Sequence, residues 1–239
     1  MLNIQTLERI RPMKYKLLPL ALLMSAVSAS ATDLCTESDT YVKITDNQNV
    51  VKLCNKEYVS YFNKQLKIPV ATFESLSSYE ANNHAPRTNN FRADYRVGWY
   101  SAQPKDYTRT GYDRGHMAAS SNSSELSTVS ESFLMTNIVP QNHSMNTGRW
   151  KALEDYSKKL AAKYNELKII TYVEADCRKP ATIKNGVAIP KTMGKYLFNG
   201  IIKEHYSMPN ITPVYRNLMK YRVSGDSGVR LCGAGISVK

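Results

Sequence analysis

The sequence predicts one α+β domain with a mixed sheet core. Three observations carry that reading. Short runs of β-branched and aromatic residues recur in both halves, one segment beginning at Trp150 has helical periodicity, and no repeat, low-complexity tract or linker divides the 239 residues. The chain is 42% hydrophobic and 22% charged, with 11 Gly and 10 Pro, which excludes a collagen-like repeat, wholesale disorder and a disulfide-dense mini-protein. A chain of this length buries a sizeable core unaided.

Residues 1–31 read as a secretory signal. Arg9, Arg11, Lys14 and Lys16 form a basic lead, residues 17–27 are apolar apart from Pro19 and Ser25, and Ala29-Ser30-Ala31 suits cleavage before Thr32. A start at Met13 would give the more usual lead. The apolar run of eleven residues is about half the length that spans a bilayer, so no stable membrane association is expected after cleavage. The whole chain carries 32 Lys+Arg against 20 Asp+Glu, a charge of +12. Removing the signal takes four of the bases and Glu8, leaving 28 against 19, or +9. That excess favours polyanionic partners: nucleic acid, acidic glycan or anionic membrane.

Cys35, Cys54, Cys177 and Cys232 all follow the cleavage site. An even count in an exported chain predicts two disulfides, for which three connectivities exist. Cys35–Cys54 with Cys177–Cys232 is preferred, because the first pair brackets a hairpin expected around Asp46 and Asn49. No CxxC or HxxxH spacing suggests zinc.

Residues 40–44 and 50–53 read as the strands of that hairpin, and 58–62 and 70–73 continue the β pattern. Residues 76–111 form a long polar connection, a length uncommon unless functional. In it Tyr95, Trp99, Tyr100 and Tyr107, with Tyr112 just beyond, lie among Arg92, Arg96, Lys105 and Arg109. Such a mixture suits base stacking and loop packing equally. Residues 113–118 and 133–139 read as strands across a Ser-rich stretch. Trp150, Leu153, Tyr156, Leu160 and Tyr164 then mark an amphipathic helix whose stripe is a core face. Residues 167–173, 187–189 and 195–202 read as strands, and 214–221 as helical.

The chemistry concentrates in Asp113-Arg114-Gly115-His116. Histidine takes protons near neutral pH, and an arginine fork suits phosphate oxygens. On a strand, positions i and i+2 share a face, so Arg114 and His116 can serve one site. Gly115 between them permits close approach by another backbone or by substrate. Asn146 is placed at the helix start, where it serves as an N-cap or as a neutral oxygen ligand for Mg²⁺. Glu154 lies eight residues on, about 12 Å along a regular helix. It reaches the same ion only through a water, or if the helix begins irregularly around Gly148.

These motifs, with the Asn137-Ile138-Val139-Pro140-Gln141 segment and Trp150, resemble the DNA/RNA non-specific endonucleases, which carry a ββα-metal (His-Me) finger. The resemblance is strong from about Phe91 to Tyr156, and the thirty residues from His116 to Asn146 agree with it. It implies a ββα-metal finger within the α+β fold and sequence-independent hydrolysis of DNA and RNA to 5′-phosphate ends. It further implies dependence on Mg²⁺, with Mn²⁺ or another divalent cation able to substitute. His116 matches the general base and Asn146 the single protein ligand of the hydrated cation. Arg114 and Glu154 match residues that contact the scissile phosphate and hold the metal-water cluster. Asp113, Asn137 and Gln141 fall at supporting positions, Asn137 by orienting the histidine. Arg87 and Arg92 are candidates for an upstream arginine, and His143 for a substrate contact. Ala119 departs from the family, many members of which have proline there.

Two other classes fit the composition. One is a secreted polyanion-binding protein that kept the fold and lost catalysis, against which the intact His116, Asn146 and Glu154 set argues. The other is a metal hydrolase built on His84, His143 and His205.

Overall fold

The structure is a computed structural model that describes residues 31–224 and 228–238. The expected signal and the alternative starts fall outside those residues, apart from Ala31.

The core is a six-stranded antiparallel sheet in the order β2-β3-β4-β7-β8-β9. Its members are β2 (Val50–Cys54), β3 (Tyr58–Asn63), β4 (Ile68–Ser77), β7 (Glu166–Glu174), β8 (Thr192–Phe198) and β9 (Lys203–Pro209). A three-stranded sheet holds β1 (Val42–Ile44), β11 (Ala234–Ile236) and β10 (Val229–Leu231) in that order. A separate hairpin pairs β5 (Tyr112–His116) with β6 (Ile138–Asn142). The helices are α1 (Ala31–Ser38), α2 (Ser78–Asn82), α3 (Leu126–Ser132), α4 (His143–Met145) and α5 (Lys151–Tyr164).

Strand β3 is buried at every position and β4 at nearly every one, because both of their faces are covered. Strands covered on both sides read as continuous apolar runs rather than alternating ones. Helix α5 packs on β4 and β7 with Leu153, Leu160 and Ala161 buried and Trp150 fully enclosed ahead of it. The predicted stripe is therefore a core face, with Tyr156 and Tyr164 at its half-buried margin.

Strands β4 and β7 are neighbours in the sheet, yet residues 78–165 separate them in sequence. That insertion carries the β5–β6 hairpin, the π turn described below and α5. It leaves the sheet through α2, whose Ser77 and Glu80 form a reciprocal capping box.

Several expectations need correction. Residues 42–44 and 50–54 are strands, but they lie in different sheets and do not pair. Both preferred disulfides are present, yet Cys35 sits on α1 and is tied to the β2 edge, so the hairpin was the wrong reason for the right pair. The second strand of the finger begins at Ile138, since residues 133–137 turn through a helical cap and a 3₁₀ turn. Residues 187–189 make only an isolated bridge between Ala188 and Thr182, and residues 214–221 supply only a 3₁₀ turn at Leu218–Tyr221.

Candidate active site

His116 ends β5, opposite Ile138. Its ring packs edge-on to Phe133 with centroids 4.8 Å apart, and Phe91 lies 5.6 Å away. The imidazole is 8% exposed, and its Nε2 is enclosed without a hydrogen-bond partner. Burial, reinforced by the Arg87 charge, pushes its pKa down to about 3. The ring is therefore neutral at physiological pH, the state a proton acceptor requires.

The same phenylalanines carry the cations. The Arg114 guanidinium lies 4.3 Å from the Phe91 centroid, and that of Arg87 lies 4.8 Å from Phe133. A guanidinium stacked on a ring keeps its N–H edge for planar anions. Arg87 also donates to Asn89 Oδ1 at 2.6 Å and Ser120 Oγ at 3.2 Å, which hold the long connection against the finger. Arg92 behaves differently. It donates to the Ser130 carbonyl at 2.7 Å and secures the loop, and it lies outside the cleft lining. Of the two upstream candidates, Arg87 is the one the fold brings to His116.

The opposite wall is helical. Asn142, not Asn146, is the N-cap: its side chain accepts from the Met145 N–H at 3.1 Å. Asn146 begins a π turn, Asn146–Trp150, that contains Gly148 and runs directly into α5. Such a turn holds one extra residue. Eight residues across it therefore have the phase of seven on a regular helix, and positions i and i+7 share a face. The irregularity anticipated around Gly148 thus brings Glu154 to the side of Asn146.

Asp113 fixes that asparagine. Asn146 Nδ2 donates to Asp113 Oδ2 at 2.8 Å, which leaves the amide oxygen free of that contact. His143 is largely exposed and places Nδ1 3.0 Å from the same carboxylate oxygen, Asp113 Oδ2. Asn137 clamps the backbone after the histidine rather than the ring. Its side chain accepts from the Ala118 N–H and donates to the Ala118 carbonyl, both at 2.9 Å. Gln141 is fully buried, opposite Asp113 in register, and occupies the space a Cβ on Gly115 would need: its Oε1 would lie 1.9 Å away. Gly115 thus admits a side chain, not a backbone or a substrate. Neither terminal atom of Gln141 has a hydrogen-bond partner among the described residues.

Together Arg87, Arg114, His116, Asn146 and Glu154 line one cleft of about 390 Å³. His84, Lys151 and Lys158 border it too. A second groove of about 360 Å³, floored by Pro104, Tyr107 and Thr108, shares Arg87, Arg114 and Asn146 with the first. His205 is remote from both linings and hydrogen-bonded to the Tyr172 hydroxyl at 2.7 Å, so the three-histidine alternative has no geometric basis.

Beneath the cleft lies a charged group that the sequence reading missed. Lys195 on β8 is 1% exposed, donates to the Met117 carbonyl at 3.2 Å and to Thr171 Oγ1 at 2.5 Å, and lies 5.0 Å from the Trp150 centroid. Burial lowers its pKa, against the opposing pull of Glu74 and Glu154. Glu74, also buried, is pushed up to about 7 by burial, against Lys195 and a 2.9 Å hydrogen bond from Asn122. Glu154 is raised by burial as well, with Lys195 again opposing. The available signal was a lone Lys195 and a lone Glu74 inside apolar strands, where charges seldom go unless compensated.

The donor set fits a hydrated hard cation. No cluster of three or more His, Cys, Asp or Glu side chains suited to a metal occurs among the described residues. The cleft offers one oriented carboxamide and one half-buried carboxylate, as suits Mg²⁺, which retains several waters.

Known proteins resemble this chain in sequence and fold. Residues 37–237 match the DNA/RNA non-specific endonuclease family. A nuclease of Nostoc sp. (strain PCC 7120) is 32% identical over 188 residues, 77% of this chain and 66% of that protein. Human mitochondrial endonuclease G is 32% identical over 125 residues, 52% of this chain and 39% of its own length. The chain thus spans less than two thirds of either relative. A solved EndoG/EndoGI complex, described as showing the mechanism of EndoG inhibition, has a chain of the same fold. Its TM-score is 0.65 at 24% identity, covering 72% of this chain and 80% of that one. With the match running over most of the chain, the protein belongs to the DNA/RNA non-specific endonuclease family.

Proposed function

We propose that residues 32–239, after removal of residues 1–31, form an exported nuclease that hydrolyses DNA and RNA without sequence preference and leaves 5′-phosphate ends. The observation that carries this reading is the convergence of His116, Arg114, Arg87, Asn146 and Glu154 on one cleft. The two disulfides support an oxidising destination.

In this mechanism neutral His116 takes a proton from the attacking water, and Arg114 and Arg87 hold the phosphate oxygens so that attack is in line. The P–O3′ bond breaks, the departing 3′ oxygen takes a proton from solvent water to become a 3′-hydroxyl, and the phosphate stays on the 5′ end. Asp113 keeps the Asn146 oxygen turned to the cleft, while Glu154 completes its far side. A divalent cation, Mg²⁺ or a substitute such as Mn²⁺, held at Asn146 and through water at Glu154, would supply the positive charge that stabilises the transition state. The cations address the backbone, so no base preference is built in. The intact set favours this enzyme over a polyanion-binding protein of the same fold.

Supercoiled plasmid and purified RNA, each incubated with the protein in Mg²⁺ or in EDTA, provide the test. Both polymers should be cut in Mg²⁺ and neither in EDTA, and phosphatase treatment should be needed before the new 5′ ends can be labelled by a kinase. Tight binding without product in ample Mg²⁺ would favour the binding protein.

A further inference from the structure

The aromatic turn Tyr95–Tyr100 is anchored too firmly for a random surface loop. Asp94, fully buried, forms a 2.6 Å ion pair with Arg96 and accepts from Thr136 Oγ1 at 2.7 Å. Arg96 also donates to the Cys54 carbonyl at 3.1 Å and to Asn55 Oδ1 at 2.9 Å. Val97 packs against Leu53 and Phe62. Gly98 reverses the chain at φ +55°, a conformation that disfavours side chains even though the space there is open.

Despite this anchoring, the turn shows its largest rings to solvent. Tyr95 is 89% exposed and Trp99 73% exposed. Trp99 and Tyr100 lie with ring centroids 3.7 Å apart. Two lysines from the β3–β4 turn complete the patch: Lys67 Nζ is 5.8 Å from the Trp99 centroid and Lys64 Nζ 5.6 Å from that of Tyr100. Packing within the chain gives no reason to leave a tryptophan outside, and grouped exposed aromatics mark binding surfaces.

The patch is tied to the cleft. Lys67 donates to Asn185 Oδ1 at 3.2 Å, and Asn185 donates to Asp106 Oδ2 at 3.3 Å. Asp106 belongs to the 3₁₀ turn Pro104–Tyr107, whose Pro104 and Tyr107 line the second groove, which meets the His116 cleft at Arg87, Arg114 and Asn146. Rings for bases and ammonium groups for phosphates thus stand along one connected rim.

We propose that Trp99 and Tyr95, with Lys64 and Lys67, form a stacking exosite for unpaired bases of single-stranded nucleic acid whose backbone continues into the groove. The proposal rests on the nucleic-acid substrate proposed above. Bases in a duplex already stack on each other and hide their faces, so the exosite favours single strands.

The chain has two tryptophans, and Trp150 is fully buried, so fluorescence change on ligand addition reports mainly Trp99. The full-length His116→Ala chain in Mg²⁺, titrated with oligothymidylate, should show quenching that a duplex of equal length does not produce. With His116 intact, Trp99→Ala should raise KM on single strands about 5-fold or more while leaving kcat, and cleavage of duplex, unchanged. Trp99→Phe should retain most of the affinity. Unquenched fluorescence together with an unaltered KM overturns the exosite even if the protein cleaves plasmid. Quenching and weakened single-strand binding in a protein that cuts nothing would uphold it and sink the nuclease reading instead. Concentration-dependent self-association that Trp99→Ala abolishes, with oligonucleotide binding intact, would mark the patch as a contact for a second copy and overturn the proposal.

Discussion

Asp113 on β5 accepts a 2.8 Å hydrogen bond from the Asn146 amide, thirty-three residues later at the π turn. The bond joins β5 to the π turn and leaves the carboxamide oxygen free of that contact. Asp113→Ala should leave the fold intact but raise the Mg²⁺ concentration for half-maximal cleavage by ~10–100-fold, the usual cost of losing a group that orients a ligand. Metal titrations of the two proteins check this, and identical curves would remove Asp113 from the account.

The two upstream arginines should separate kinetically. Arg87 sits on Phe133 in the cleft, so Arg87→Ala should lower kcat/KM by ~10-fold or more, as expected for loss of a charge-assisted phosphate contact. Arg92 holds the Ser130 carbonyl, so Arg92→Ala should lower the urea midpoint with little kinetic change at low temperature. Reversed phenotypes would show that the wrong arginine has been placed at the phosphate.

Lys195 and Glu74 should be coupled in stability. Lys195→Met strands the Met117 carbonyl and removes the charge opposing Glu74, at a cost of ~3–5 kcal/mol. Adding Glu74→Gln should recover part of that loss, and a double-mutant cycle in urea should give a coupling of ~0.5–3 kcal/mol. Strict additivity would mean that the two charges do not sense each other.

The depressed pKa of His116 has a definite sign in pH experiments. Below about 6.5 the unfolded chain binds a proton on this residue that the folded chain refuses until about pH 3. Its contribution to stability is therefore lost as pH falls through that window, by up to about 1.4 kcal/mol per pH unit. His116→Gln should be free of that slope. In kinetics, the acid limb of kcat/KM should lie well below pH 6.5. An acid limb at or above 6.5 would show that the free enzyme's base is more solvated than its position at 8% exposure implies.

The sequence made the site more legible than the fold. Arg114 and His116 at alternate positions pointed to one strand face, whereas Asn146 and Glu154 came together only through the family resemblance, since a regular helix would set them about 12 Å apart. What it hid depends on distant partners. Residues 42–44 and 50–54 look like a hairpin because their turn is strong, as Asp46 accepting from the Gln48 and Asn49 N–H groups shows, but β1 finds its partner at the far end of the chain. Asn146 looked like an N-cap because the π turn is invisible to a 3.6-residue period, and the true cap is Asn142. Strand β9 went unseen because Lys203, Glu204 and His205 break its apolar run, although His205 is buried against Tyr196. The Phe91 and Phe133 wall gave no local signal at all, since only folding brings the two rings to 4.7 Å.

The central claim is that His116 removes the proton from the attacking water in a cleft where Asn146 presents its oxygen. Single-turnover cleavage by His116→Ala, with and without added imidazole, tests it most directly. The substitution should slow the bound-substrate rate by ~10²–10⁴-fold, as loss of a general base does. Free imidazole should restore part of that rate in proportion to its unprotonated form, while restoring nothing to Asn146→Ala. A rate for His116→Ala within twofold of the unaltered protein, or a loss that imidazole never repairs in a well-folded variant that still binds nucleic acid, would contradict the account.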